Sequence, residues 1–418
     1  MCILKCTCAD DFYDGVVSSA FFMEEIMYLS LALIFILGIL SNLIFKKIKL
    51  PSLIGMILSG IIIGPHVLNL IEEKVLNISA ELRTIALIII LTRAGLTLNL
   101  EDLKKAGIRS ILMAFMPASF EILGITIFAH LIFRISLLEA ALLGSVLAAV
   151  SPAVVVPRMI KIIEKGYGNN KAVGQMILAA SSVDDIYVIV IFTSILSLFT
   201  GTANNAYLSF VNIPVSIILG AFIGYLTGIV ISKLLNKIKL KNLEKSLFIL
   251  AISMLLYYLE MQITSPIKYS SLISIMAMGM TINMNDEGLK NDINKKYNNF
   301  WSIFEIFLFT LVGASINISY AKDMWLLALL IITIGLAFRM LGVFISLISS
   351  DLNKKEKTFS MLAYLPKATV QAAIGGVALS YGLDVGDLIL SVAVVSILYT
   401  APLGALLIDK TYKKFLEK

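Results

Sequence analysis

Apolar residues run along this chain in blocks of about twenty, the length of a bilayer-spanning helix, with short polar segments between them. The blocks fall at roughly 25–45, 51–71, 84–100, 107–133, 137–157, 172–199, 207–232, 246–262, 269–284, 300–318, 324–350, 358–380 and 387–408, which predicts thirteen transmembrane segments. The pattern is that of an all-α polytopic membrane protein. Proline and glycine interrupt several blocks, which a bilayer tolerates only where the freed backbone groups find partners inside the protein. Composition agrees, since 59% of the 418 residues are hydrophobic and 15% are charged, against about 45–50% and 25% in soluble domains. A net charge of +6 would suggest nucleic acid in a soluble chain. The spans exclude that partner and imply the lipid bilayer instead.

Basic residues give the orientation, because Lys and Arg concentrate in cytoplasmic loops. The loops after segments 1, 3, 5, 7, 9 and 11, with the C-terminus, hold 25 of the 34. The alternate loops and the N-terminus hold six: Lys5, Lys74, Arg83, Arg134, Lys268 and Lys322. This predicts a multi-pass protein of the plasma membrane, with its N-terminus outside and its C-terminus in the cytoplasm. Residues 1–22 read as a polar, unstructured tail, and Met23 is an alternative start. Cys2, Cys6 and Cys8 lie in that tail, an odd number without a second Cys or His cluster, and are not read as a metal or disulfide framework. No cleavable signal pattern is visible. The transmembrane unit covers 23–408, and 409–418 is a basic cytoplasmic tail.

An internal repeat is present. GLTLNL at 95–100 resembles GASINI at 313–318, an interval of 218, and PSLIGMILSG at 51–60 resembles SSLISIMAMG at 270–279 within a residue of that interval. At 218, Glu121 falls on Arg339 and Ser151 on Thr369. Two six-helix repeats, about 25–199 and 246–408, therefore flank a linker helix at 207–232. Segment k matches segment k+7, and an odd shift makes the second repeat cross the membrane inverted, as in many transporters.

Charged side chains at mid-membrane are costly and mark function by default. Segment 6 reads QMILAASSVDDIYVIVIF, with Asp184 and Asp185 near its middle. Adjacent helical residues point about 100° apart, so one carboxylate can line an aqueous cavity while the other holds a basic partner. A carboxylate so placed can trade a proton for a cation; a structural acidic pair is the plainer alternative. Ser181 lies one turn earlier, close to both. Glu121 and Arg339 are mid-span in segments 4 and 11 and read as a buried ion pair with a structural or gating role. A charge swap, Glu121→Arg with Arg339→Glu, is then expected to recover folding better than either change alone.

Segment 5 contains AAVSPAVVVP and segment 12 contains YLPKATVQAAIGG. Pro152, Pro157 and Pro366 cannot donate helical hydrogen bonds, and each frees an upstream carbonyl. Two such broken helices crossing at the midplane would aim dipole ends and unpaired carbonyls at one site, beside Ser151, Lys367 and Thr369. Lys367 is expected to neutralise the dipole ends or to pair with Asp184. Arg93 is expected to snorkel or to brace the fold. Glu305, one to two turns into segment 10, reads as part of a funnel or an interface. His66 and His130 near span ends are not read as pH sensors, and the Gly-rich segment 2 (GMILSGIIIGP) reads as a close-packing face, at a subunit interface.

SPAVVVP, ASSVDD and LPKATVQAAIG, with TRAGLTL and FRMLGVF, resemble the NHA branch of sodium/proton antiporters, within the cation:proton antiporter superfamily. The resemblance covers about residues 25–408. It implies the NhaA-like antiporter fold, in a homodimer whose core domain moves as an elevator against a dimerisation domain. It also implies that Asp185 is the principal cation and proton carrier with Asp184 beside it, and that the Val150 carbonyl and Ser181 complete a Na⁺ site. Glu121 with Arg339, and Lys367 near Asp184, match the family's intramembrane ion pairs. Ser181 stands where animal members usually have glycine. The expected function is antiport of Na⁺ or Li⁺ against H⁺, with no cofactor beyond the transported ions. K⁺/H⁺ exchange and Na⁺-coupled symport of an organic anion are the alternatives. Enzyme chemistry is not expected: an intramembrane aspartyl protease needs aspartates on separate helices, and HExxH is absent.

Overall fold

A computed structural model of the chain describes residues 10–48, 50–97, 100–199, 206–238, 240–263, 269–285 and 287–418. Cys2, Cys6 and Cys8, with Lys5 and Lys268, lie outside the described residues. The described residues form helices and no strand. In order these are α1 (Asp10–Lys47), α2 (Ser52–Ile63), α3 (Glu73–Asn77), α4 (Ser79–Thr97), α5 (Leu100–Phe133), α6 (Leu137–Leu147), α7 (Pro152–Glu164), α8 (Val173–Phe199) and α9 (Ala206–Lys237). There follow α10 (Asn242–Gln262), α11 (Ser271–Asn285), α12 (Glu287–Ala314), α13 (Ile318–Ser346), α14 (Lys354–Ala363), α15 (Thr369–Gly375), α16 (Val377–Ser380) and α17 (Gly386–Phe415).

Among the described residues, eight stretches are long and apolar enough to cross a membrane, and Ser52–Ile63, Ser271–Met284 and Thr369–Ser380 are shorter apolar helices. The other expected spans fall on α4 and α12, which carry charged residues within the helix. Several expected boundaries move. Helix α1 already begins at Asp10, within the segment expected to be unstructured. Helix α17 runs to Phe415, so most of the expected basic tail is helical. Arg83, expected in an outer loop, is buried one turn inside α4, because that helix starts at Ser79. Its Nε donates to the Ser79 carbonyl at 3.2 Å, and its guanidinium lies against Gly376, where any Cβ would collide with it.

The helices associate in two groups. Helices α5, α6, α7, α8, α13, α14, α15 and α17 pack on one another, as do α1, α2, α4, α9, α10, α11 and α12. The groups meet along α8–α9, α12–α15, α4–α15 and α2–α17. In the second group the Gly-rich face of α2 packs on α12 of the same chain, where Gly60 lies against the Thr310 carbonyl and a Cβ at Gly64 would stand 2.9 Å from Ala314 Cα. With little hydrophobic drive between helices in lipid, such close backbone approach supplies the dispersion contacts.

One end of the first group is tied by polar contacts. The turn between α7 and α8 uses Gly166 and Gly168 at φ +82° and +70°. Gly168 N–H donates to the Glu417 carbonyl at 2.6 Å, and Arg158 pairs with Asp409 at 3.4 Å. Lys171 donates to the buried Glu356 at 2.9 Å, where Glu356 also caps α14.

Two outcomes follow from this packing. Gly60→Leu should force α2 off α12 and cost about 1–3 kcal/mol, read as a lowered midpoint when the detergent-solubilised protein is heated and assayed by size exclusion; an unchanged midpoint means the helices can part freely. The hydrogen bond to Glu356, assisted by its charge and opposed by desolvation, raises the pKa of Lys171 above its ordinary 10.5. A raised folded value means the stabilisation is full below the ordinary value and is lost as pH rises through the folded one. Lys171→Met should therefore lower the unfolding midpoint at neutral pH, and its difference from wild type should vanish at strongly alkaline pH.

Candidate functional site

Two chain breaks build the site. Helix α6 opens on a capping box, with Glu139 N–H donating to Ser136 Oγ at 3.2 Å and Ser136 N–H to Glu139 Oε2 at 2.7 Å. It ends at Leu147, residues 148–151 leave the helix, and α7 restarts at Pro152. Proline at the first helical position loses no hydrogen bond, which fixes the restart there. Pro157, which also lacks a helical donor, lies inside a continuous α7. The second break repeats the design: Asn353 and Glu356 cap α14, residues 364–368 leave the helix around Pro366, and α15 starts at Thr369. The breaks touch, since Ser151 N–H donates to the Pro366 carbonyl at 2.7 Å.

Four buried charges join them. Arg339 on α13 donates through Nη1 to Glu121 Oε2 at 2.9 Å and through Nη2 to Asp184 Oδ2 at 3.0 Å. The same guanidinium reaches both breaks, donating through Nε to the Tyr364 carbonyl at 2.8 Å and through Nη1 to the Ala148 carbonyl. Lys367 stands 2.7 Å from Glu121 Oε1 and 2.9 Å from Oε2, and donates to the Leu147 carbonyl at 2.5 Å. Lys367 thus meets Glu121 and not Asp184, whose Oδ2 is already held by Arg339 and by Val150 N–H at 2.7 Å. Gln371 on α15 donates to the Leu147 carbonyl at 3.2 Å and to the Ala149 carbonyl at 2.8 Å. Three carbonyls at the negative end of α6 are in this way capped by two cations and an amide.

Beside this network is a set of buried polar atoms that nothing in the described residues satisfies: Asp184 Oδ1, Asp185 Oδ1, Ser151 Oγ, Thr369 Oγ1, Tyr364 Oη and Gln371 Oε1. All are oxygens, the ligand type of hard cations. Asp185 is less buried than Asp184. Ser181 is buried one turn before the pair and donates to the Leu178 carbonyl of its own helix at 3.1 Å. The nitrogen of Val150 makes the bond to Asp184; its carbonyl was the expected ligand.

Other expected residues lie elsewhere. Arg93 on α4 and Glu305 on α12 interact with each other in the second group, and Glu305 is well inside α12, because that helix begins at Glu287. His130 ties its Nδ1 to the Ile135 carbonyl at 2.6 Å, and His66 is exposed. Gln371 and Tyr364 were given no role by sequence reasoning. The signal for Gln371 was an uncharged amide within an otherwise apolar span, four residues after Lys367.

The family described as sodium/hydrogen exchanger, transmembrane, matches residues 31–411. Sodium/hydrogen exchanger 9B2 of Homo sapiens is 34% identical over 388 residues, covering 88% of this chain and 70% of its own. Sodium/hydrogen exchanger 9B2 of Xenopus tropicalis is 35% identical over 414 residues, covering 93% and 74%. Sodium/hydrogen exchanger 9B1 of Homo sapiens is 32% identical over 412 residues, covering 93% and 78%. The structure of the sodium proton antiporter MjNhaP1 from Methanocaldococcus jannaschii at pH 8 superposes with a TM-score of 0.79 at 22% identity, covering 93% of this chain and 98% of that one.

The shared partners change the expected outcome of the charge swap. Removing Glu121 leaves Lys367 buried without a carboxylate, and Glu121→Gln should cost about 3–5 kcal/mol. In Glu121→Arg with Arg339→Glu, the new cation meets Lys367 and the new carboxylate meets Asp184. The double variant should be no more heat-stable than either single one; recovery toward wild type would mean that the pair acts apart from its neighbours.

Proposed function

We propose that this chain, which belongs to the sodium/hydrogen exchanger family, exchanges Na⁺ or Li⁺ for H⁺ by letting cation and proton compete for Asp185. The observation that carries this reading is the unequal treatment of the two adjacent carboxylates. Glu121, Asp184, Arg339 and Lys367 form a charge-balanced, hydrogen-bonded set. Asp185 is the excess negative charge, is less buried, and keeps an unsatisfied Oδ1. A carboxylate without a fixed counter-ion takes up a proton or a cation, and one oxygen set does not hold both. Asp184 Oδ1, Ser151 Oγ, Thr369 Oγ1 and the Val150 carbonyl are the further ligands for Na⁺, with Ser181 one turn away.

Coupling follows from electrostatics. With Asp185 ionised and empty, the site carries one uncompensated negative charge, which is costly to move through a low-dielectric interior. Proton or Na⁺ removes that charge, so only the loaded site crosses. The division into two helix groups, with both breaks and all five charges in one of them, supports an elevator movement of that group. The bond between Glu121 and Arg339, 218 residues apart, supports the inverted repeat with thirteen spans and a linker helix. The reading extends to a homodimer in the plasma membrane, N-terminus outside and C-terminus cytoplasmic. Organic-anion symport is disfavoured, because an anion needs free donors and both cations here are engaged.

Reconstituted protein given Na⁺, Li⁺ or K⁺ separately should move protons against Na⁺ and Li⁺. Asp185→Asn should abolish that movement while leaving the protein folded. Full exchange by Asp185→Asn would refute the carrier assignment, and a response to K⁺ alone would make the protein a K⁺/H⁺ exchanger.

A further inference from the structure

The geometry points to Gln371 as a positioning residue of the transport site, one that sets cation affinity by holding the peptide group between Ala149 and Val150. The inference rests on the reading of Asp184 and Asp185 given above. The Ala149 carbonyl and the Val150 N–H belong to one planar peptide, so fixing one end fixes the direction of the other. Gln371 Nε2 holds the oxygen at 2.8 Å, and the N–H at the far end points to Asp184 Oδ2 at 2.7 Å. The following peptide is held at its Ser151 N–H by the Pro366 carbonyl at 2.7 Å, which aims the Val150 carbonyl. Two successive peptides of the first break are thus oriented from the second.

The residue type suits the task. Leu147 and Ala148 offer their carbonyls to Lys367 and Arg339, whereas the Ala149 carbonyl is met by the Gln371 amide. One amide nitrogen carries two hydrogens, enough for the Leu147 and Ala149 carbonyls together. A third cation at this place would upset a set of charges that already balances. Gln371 is fully buried, so bulk solvent does not reach its acceptors. Without Gln371 the peptide turns freely, Val150 N–H no longer pins Asp184, and the oxygens beside Asp185 lose their order.

The test uses the full chain in proteoliposomes, measuring Na⁺-driven proton flux per folded protein for Gln371→Met, Gln371→Leu and Asp185→Asn. Gln371→Met keeps the volume without the donors and should raise the apparent KM for Na⁺ about two- to tenfold, the worth of one such hydrogen bond, with the maximal rate near wild type. Gln371→Leu also lacks the donors and should raise KM by a similar factor. A role in folding alone would lower the amount of active protein without moving KM. An unchanged KM in either folded variant overturns the inference while loss of exchange in Asp185→Asn upholds the carrier reading. If Gln371→Met does not fold, the KM of Gln371→Leu decides. If neither folds, Gln371 is a folding residue and the inference fails.

Discussion

Arg339 is the side chain on which the site depends. It is completely buried and donates to Glu121, Asp184, the Tyr364 carbonyl and the Ala148 carbonyl. Those partners come from α5, α8 and both chain breaks, so one guanidinium aligns every element that carries chemistry. Only arginine presents five donors in a rigid planar fork; a lysine could not reach these acceptors in fixed directions. Burying such a charge requires compensation, which explains the carboxylates on two different helices. Glu121 has oxygens to spare after Arg339 and takes Lys367 as well.

The breaks in α6–α7 and α14–α15 are tolerable for the same reason. Backbone groups released inside a membrane protein must be satisfied by the protein itself. Lys367, Arg339 and Gln371 cap three successive carbonyls at the end of α6, and the Pro366 carbonyl receives Ser151 N–H. The paired charges therefore also stabilise the breaks. They neutralise the helix ends, and their balance leaves Asp185 as the odd carboxylate. The glycine-lined contact of α2 with α12 lies in the other helix group, away from these charges. Close backbone approach is not confined to that group, since Gly342 lies against Pro117 in the group that holds the charges.

Much was legible along the chain. Hydropathy located the helices, since the length of an apolar run is a local property. Proline near a hydroxyl located both breaks, and the mid-span charges are the residues that the structure brings together around them. Pro157 lies within a continuous α7, where it leaves the Ala153 carbonyl without its helical donor but does not end the helix. Arg83 misled because polar residues at the edge of a span look like loop until packing shows the helix starting earlier. Gln371 went unassigned because an amide without charge stands out little in a hydropathy count.

The sequence alone therefore determined the class of protein, the places where its helices break, and which ionisable groups are too costly to be accidental. Those follow from residue-by-residue transfer energies and from the missing N–H of proline. The tertiary structure alone decided the pairing: Lys367 meets Glu121, 246 residues away, and not the nearer Asp184. It also decided that Arg339 serves two carboxylates, and that Asp184 is fixed while Asp185 is not. Partnership among buried charges depends on distances of a few ångströms across helices far apart in the chain, and no pattern read along one strand of residues contains those distances.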